Sequence, residues 1–137
     1  ISKIEVNKIP IVNVWMNLMG CVMIDRKDRR QSLKAIRSGI DTIKDGQSMI
    51  IFPEGTRSKG GPMAEFKAGS FTLATSSGAR VVPVAISGSY RVMEETGKIR
   101  PATVEVTILP SIDPSTMTQK ELVHTVEHQI KQIVEGV

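Results

Sequence analysis

The sequence predicts an α/β domain in which helices cover a mixed or mainly parallel sheet, and three observations carry that reading. Two apolar runs, at 21–24 and 48–52, flank a helix-patterned segment at 28–45. A strand, a helix of that length and a second strand form a crossover unit, for which a parallel, right-handed connection is the default. Two further strand-like runs, at 81–86 and 103–109, precede a last amphipathic segment at 118–135. A chain of 137 residues with ordinary apolar and charged fractions reads as one globular domain with a single core.

The uncharged stretch from Ile9 to Ile24 contains Pro10, Asn13, Asn17 and Gly20 and is too short and too interrupted for a spanning helix. Ile9, Val12, Trp15, Met16 and Met19 recur at helical spacing, with Pro10 near the first turn and Gly20 ending the pattern. That stripe reads as core rather than as a membrane-facing patch, and Cys21 to Ile24 as a short buried strand. Asp28 is placed to cap a helix running to Asp45, with Gln31 at the reciprocal position and Gly46 as its stop. Leu33, Ile36, Ile40 and Ile43 fall within an arc of ~80°, so one face packs. Gly39 borders that arc and permits close approach to a sheet at a propensity cost of about 1 kcal/mol.

Residues 48–52 form the next strand and empty into Pro53, Glu54, Gly55, Thr56, Arg57 and Ser58. Pro53 cannot donate to a ladder, and Gly55 allows a turn or a close ligand approach. Two readings stand side by side: a capped strand end with a local Glu54–Arg57 ion pair, or an anion site. Arg26 ends one strand and Arg57 follows the next, so in a parallel pair both project from one carboxyl edge. Open α/β sheets bind ligands there, and a phosphate would relieve the repulsion of two guanidinium groups. Local neutralisation by Asp25, Asp28 and Glu54 is the competing account.

Residues 59–62 are a glycine-rich connection, and residues 66–70 lead into a short helix ending near Gly78. Lys67 at its start is read as solvated. Pro83 inside the run 81–86 marks an edge strand or a bulge. Residues 88–98 form a loop with no assigned role, and Pro110 and Pro114 end the strand before them. Thr118 and Glu121 make a capping box for the last helix, whose residues Leu122, Val123, Val126, Ile130, Ile133 and Val134 span ~120°. His124 and His128 fall on the opposite, solvent side. Thr125 stands where a zincin carries its glutamate, so no metal is expected.

The formal charge of +4 suits phosphate ligands, anionic lipid or nucleic acid, but the scattered bases and few aromatics disfavour nucleic acid. A single cysteine excludes an internal disulfide scaffold. No Gly-x-Ser-x-Gly elbow and no Gly-x-x-x-x-Gly-Lys loop occurs, which removes the common hydrolase and P-loop readings.

The segment from Phe52 to Ser58 resembles the third signature block of the glycerolipid acyltransferases, the 1-acyl-sn-glycerol-3-phosphate acyltransferase-like family. Residues 20–29, Gly-Cys-Val-Met-Ile-Asp-Arg-Lys-Asp-Arg, resemble the second block, and Val81, Val82, Pro83 and Val84 the fourth. The blocks come in the family's order, and the likeness runs from about Lys3 to about Ser89. The family's first block, a His and an Asp separated by four residues, would lie upstream of Ile1, so the chain reads as a domain fragment without its amino-terminal portion and without a catalytic residue of its own.

The resemblance implies a glycerol-3-phosphate acyltransferase-like fold and a role in phospholipid biosynthesis. The acyl group would pass from acyl-CoA or acyl carrier protein to lysophosphatidic acid, or to glycerol 3-phosphate, at the cytoplasmic side of a membrane. No cofactor is implied. The upstream His would act as general base, held by the upstream Asp. Arg26 and Arg57 would hold the acceptor's phosphate, Glu54 would orient the acceptor or Arg57, Gly55 and Thr56 would shape the pocket, and Val82, Pro83 and Val84 would line its apolar side. The alternative is a module that binds a phosphorylated lipid without turning it over. A missing segment would also leave a sheet edge or an apolar face uncovered.

Overall fold

A computed structural model describes residues 1–25 and 27–136. Contacts divide the chain into two compact units, one of residues 1–51 and one from residue 52 onward. Strands and helices occur in both, as an α/β chain requires, but the described strands are short and form one parallel and one antiparallel pair.

In the first unit, β1 (Ser2–Lys3) pairs in parallel with β2 (Met23–Ile24), in the register Ser2 with Met23 and Lys3 with Ile24. The expected strand at 48–52 is absent: those residues form no ladder, and the parallel neighbour of β2 is β1. The Ile1 nitrogen donates to the Ile50 carbonyl at 3.1 Å while the next amide, Ser2 N–H, donates to Val22 at 2.9 Å. Successive amides of an extended strand point to opposite sides, so β1 lies where the crossover pair was expected to close. The local sequence announces the crossover helix but not the third strand inserted beside it.

Helix α1 (Val12–Leu18) carries the middle of the predicted stripe, but the stripe is not core. Trp15 is 63% exposed and Met19 66%. Helix α2 (Arg29–Lys44) starts as expected, with the Asp28 carboxylate accepting from the amides of Arg30 and Gln31 at 2.9 and 3.1 Å. Gln31 does not complete the box by reaching back to Asp28. Its amide bridges to β2 and its flank, accepting from Asp25 N–H at 2.7 Å and donating to the Met23 carbonyl at 3.0 Å. The packed face is centred on Ala35 and Gly39, with Ile36, Ile40 and Ile43 half-buried beside them and Leu33 exposed. Small residues at the centre let the helix backbone come close to its neighbours, so the larger side chains flank the contact instead of filling it.

In the second unit, β3 (Val84–Ser87) and β4 (Glu105–Ile108) are antiparallel, pairing Val84 with Ile108 and Ile86 with Val106. A bridge between Val81 and Ile112 continues the ladder, with four steps on one side against three on the other. The extra residue lies within 109–111, which makes this a bulge, and Pro83 sits opposite it with its carbonyl accepting from Leu109 N–H at 3.0 Å. Helix α3 (Thr72–Ser77) is followed by the left-handed Gly78. Helix α4 (Gln119–Glu135) opens with the complete Thr118–Glu121 capping box and packs over β3. Phe66, Phe71, Leu122 and Val126 form the core, with Met63, Val81, Ile112, Met117, Val123 and Ile130 around them. Ile133, expected on the packed arc, is 45% exposed.

Candidate functional site

Pro53 and Glu54 form a tight turn in which Gly55 N–H donates to the Phe52 carbonyl at 3.0 Å and Gly55 adopts φ +67°. A side chain at that φ would strain the backbone, which is why glycine stands between the acid and the hydroxyl residue. Backbone pairing of Lys67 N–H with the Pro53 carbonyl at 3.0 Å ties the turn to the loop that precedes residues 68–71. Lys67 itself is exposed.

The Glu54 carboxylate accepts from Ala64 N–H at 3.1 Å. Two acids of α4 grip the same loop, Glu135 through Met63 N–H at 2.8 Å and Glu127 through Phe66 N–H at 3.4 Å. Glu54 therefore braces the loop beneath the turn, and the ion pair expected between Glu54 and Arg57 is not formed. Arg57 pairs with Glu94 instead, its Nη1 donating to Oε1 at 2.9 Å.

Glu94 lies in the loop that the sequence left without a role, just beyond the turn of Ser89–Val92. A second contact joins the same two segments. Gly60 has φ +88°, and a Cβ there would stand 2.6 Å from the Tyr90 ring. The signature loop is thus pressed onto Tyr90 at Gly60 and tied to Glu94 at Arg57. Neither partner was legible, because residues 88–98 carry no motif and the contact joins positions 37 apart. Arg91 stacks over Tyr90 at 5.5 Å, and the hydrogen bond its guanidinium donates to the Tyr90 hydroxyl is the main cause holding its pKa above the ordinary arginine value.

The Arg57 side chain remains 74% exposed, and that of Glu94 is 15% exposed. A guanidinium carries five N–H donors in a fixed fork, so one bond to Glu94 leaves it able to meet an anion while its position is set. Thr56 is exposed next to it. Arg26, the other expected phosphate ligand, lies outside the described residues.

Val82, Pro83 and Val84 do not share one side. Alternation along the strand turns Pro83 and Ala85 into the core and leaves Val82 and Val84 exposed with Ile86 on the opposite face. Val106 and Ile108, paired with Ile86 and Val84, extend that apolar face on β4. His124 and His128 are exposed as expected, with their rings stacked 6.2 Å apart. Among the described residues no three His, Cys, Asp or Glu side chains are grouped to hold a metal.

The comparisons with known proteins agree with the signature blocks. A family model described as Acyltransferase matches residues 1–87, more than half of the chain. A 1-acyl-sn-glycerol-3-phosphate acyltransferase of Chlamydomonas reinhardtii is 38% identical over 84% of this chain and 35% of its own length. A chloroplastic 1-acyl-sn-glycerol-3-phosphate acyltransferase of Arabidopsis thaliana is 40% identical over 68% of this chain and 26% of its own. The crystal structure of the 1-acyl-sn-glycerophosphate (LPA) acyltransferase PlsC from Thermotoga maritima superimposes with a TM-score of 0.86 at 33% identity, over 98% of this chain and 54% of that one. The chain spans between about a quarter and a third of the length of these curated relatives. By its signature blocks, by the matched family model and by these relatives, the chain belongs to the acyltransferase family.

Proposed function

We propose that the chain forms the acceptor-binding part of an acyltransferase that acylates lysophosphatidic acid to phosphatidic acid in phospholipid biosynthesis. The observation that carries this reading is Arg57, displayed to solvent from the family's signature loop and held at its base by Glu94. The relatives' names supply the substrate class.

In the proposed reaction the acceptor's hydroxyl oxygen attacks the carbonyl carbon of an acyl thioester, on acyl-CoA or acyl carrier protein. The carbon–sulfur bond breaks, and the hydroxyl proton passes through a general base to the departing thiolate. Attack requires a base within hydrogen-bond reach of the hydroxyl. His124 and His128 are poor candidates, being exposed on α4 and lacking an Asp five positions on, where Gln129 and Ile133 stand. The base in this proposal belongs to the family's His and Asp block, outside these residues. Arg57 holds the phosphate, Thr56 and Gly55 shape the turn beside it, and Glu54 maintains the loop that presents them. Because acceptor and product are both lipids, the proposed place of work is a membrane surface, on the cytoplasmic side that the family resemblance implies.

Calorimetric titration with a short-chain lysophosphatidate tests the assignment. Arg57→Ala is expected to lose ~1.5 to 3 kcal/mol of binding, the range for hydrogen bonds to charged groups, and Arg57→Lys to recover part of it. Unchanged affinity in folded Arg57→Ala protein would remove the phosphate site from this loop.

A further inference from the structure

Helix α1 is amphipathic in the inverted sense. Stepping ~100° per residue from Val12, the exposed apolar residues Val14, Leu18, Trp15, Met19 and Val12 fill a continuous arc of ~160°, with the exposed Asn17 outside it. Asn13 and Met16, the half-buried residues, lie on the other side. Ile11, immediately before the helix, has φ +68° and is 73% exposed, so a strained backbone holds one more bulky apolar side chain in water. Seven residues at 1.5 Å rise cover about 10 Å, far less than the ~30 Å of a bilayer's hydrocarbon core. No helix among the described residues is long and apolar enough to cross a membrane.

The charge of the chain is divided unevenly. Residues 1–51 hold nine Lys and Arg against five Asp and Glu, and the remaining residues hold nine against nine, so the whole formal charge of +4 belongs to the unit that carries α1. Lys3, Lys8, Lys27, Arg29 and Arg30 are all exposed in that unit. Bulky apolar side chains that include Trp15 and Leu18, on a unit of net positive charge, suit a surface that is anionic outside and apolar just beneath. A second copy of the chain fits less well, because covering α1 with α1 would bring two positive units together.

We propose that α1, with Ile11 and Met19, is a membrane-docking element that lies in the headgroup layer of an anionic bilayer. This rests on the proposed acylation of a membrane lipid and names the surface through which the domain meets it. Docked in this way, the domain works on an amphiphilic acceptor without the acceptor leaving the bilayer.

Trp15 is the chain's single tryptophan, so its fluorescence reports α1 alone. The emission of the full 137-residue chain would be followed with vesicles of equal phosphatidylglycerol and phosphatidylcholine, and with vesicles of phosphatidylcholine only. The expected result is a shift to shorter wavelength with the anionic vesicles, weakened by added salt, and quenching by brominated acyl chains. Leu18→Asp should reduce partitioning by about tenfold or more, since it removes a buried apolar group and adds a charge. Ile108→Asp, on the apolar face of the other unit, should leave partitioning unchanged. Circular dichroism checks that both variants are folded. The proposal is overturned if Trp15 emission does not move at saturating lipid, if Leu18→Asp partitions like the unaltered chain, or if the same shift appears on raising protein concentration without lipid. Such a failure with Arg57-dependent binding of short-chain lysophosphatidate intact would remove the docking surface alone. The opposite pattern would remove the acceptor site and leave the docking surface standing.

Discussion

Arg57 shows how a residue's chemistry is set by a partner distant in the chain. Glu94 holds one edge of the guanidinium, and its carboxylate also places a negative charge beside any anion that binds. Unit charges at ~4 Å in water interact by about 1 kcal/mol, so Glu94→Gln is expected to tighten binding of inorganic phosphate by up to about fivefold. Calorimetry reads this directly; weaker binding would mean that Glu94 is needed to hold Arg57 in position for the ligand. The histidines give a contrasting case. His124 and His128 are exposed and stacked on one another, so changing both to Gln should alter stability by under about 0.5 kcal/mol. A large fall in Tm, or metal-dependent folding, would contradict their placement.

At the scale of an element, α4 is the best-announced part of the chain. Thr118 N–H donates to Glu121 at 2.7 Å, and the Thr118 hydroxyl and the Glu121 amide complete the box. That backbone bond, followed by the hydroxyl, lowers the Glu121 pKa below the ordinary carboxylate value. A depressed folded-state pKa stabilises the fold above the unfolded value, and this contribution is lost as pH falls through the lowered native value. Thr118→Ala is therefore expected to raise the Glu121 pKa and to flatten the acid side of the stability profile between those two values. A carboxyl-carbon NMR titration measures it, and an unmoved Glu121 titration would show that the Thr118 hydroxyl does not help to hold the charge in solution. Asp113 behaves in the same sense, its pKa lowered first by the Ser115 hydroxyl and then by the Ser115 amide.

For the whole molecule, binding and turnover are expected to separate. The described residues provide an exposed arginine on a braced loop, while the two histidines sit on a solvent face of α4. Loss of a general base typically costs roughly 10²- to 10⁴-fold in rate. The 137-residue chain should accordingly bind phosphate yet show no thioester cleavage with lysophosphatidate and acyl-CoA, whereas the same chain joined to a segment bearing the family's His and Asp block should show it. Full turnover by the 137 residues alone would mean that the base lies among them.

The family was legible in the residues alone, through Phe52 to Ser58 and the two blocks around it, and so were the features set by neighbours a few positions apart. The Asp28 cap, the Gly46 stop, the Thr118 box and the irregularity at Pro83 are all of this kind, because each depends on local hydrogen bonds or on the fixed φ of proline. Which residues stand beside one another became visible only in the folded chain. It put β1 rather than residues 48–52 next to β2, gave Arg57 to Glu94, turned Glu54 onto the Ala64 amide and left the α1 stripe in water. Helical periodicity shows that a face is apolar without showing what covers it. Residue spacing shows which charges are near in the chain without showing which are near in space, and a contact across 37 positions leaves no trace in either.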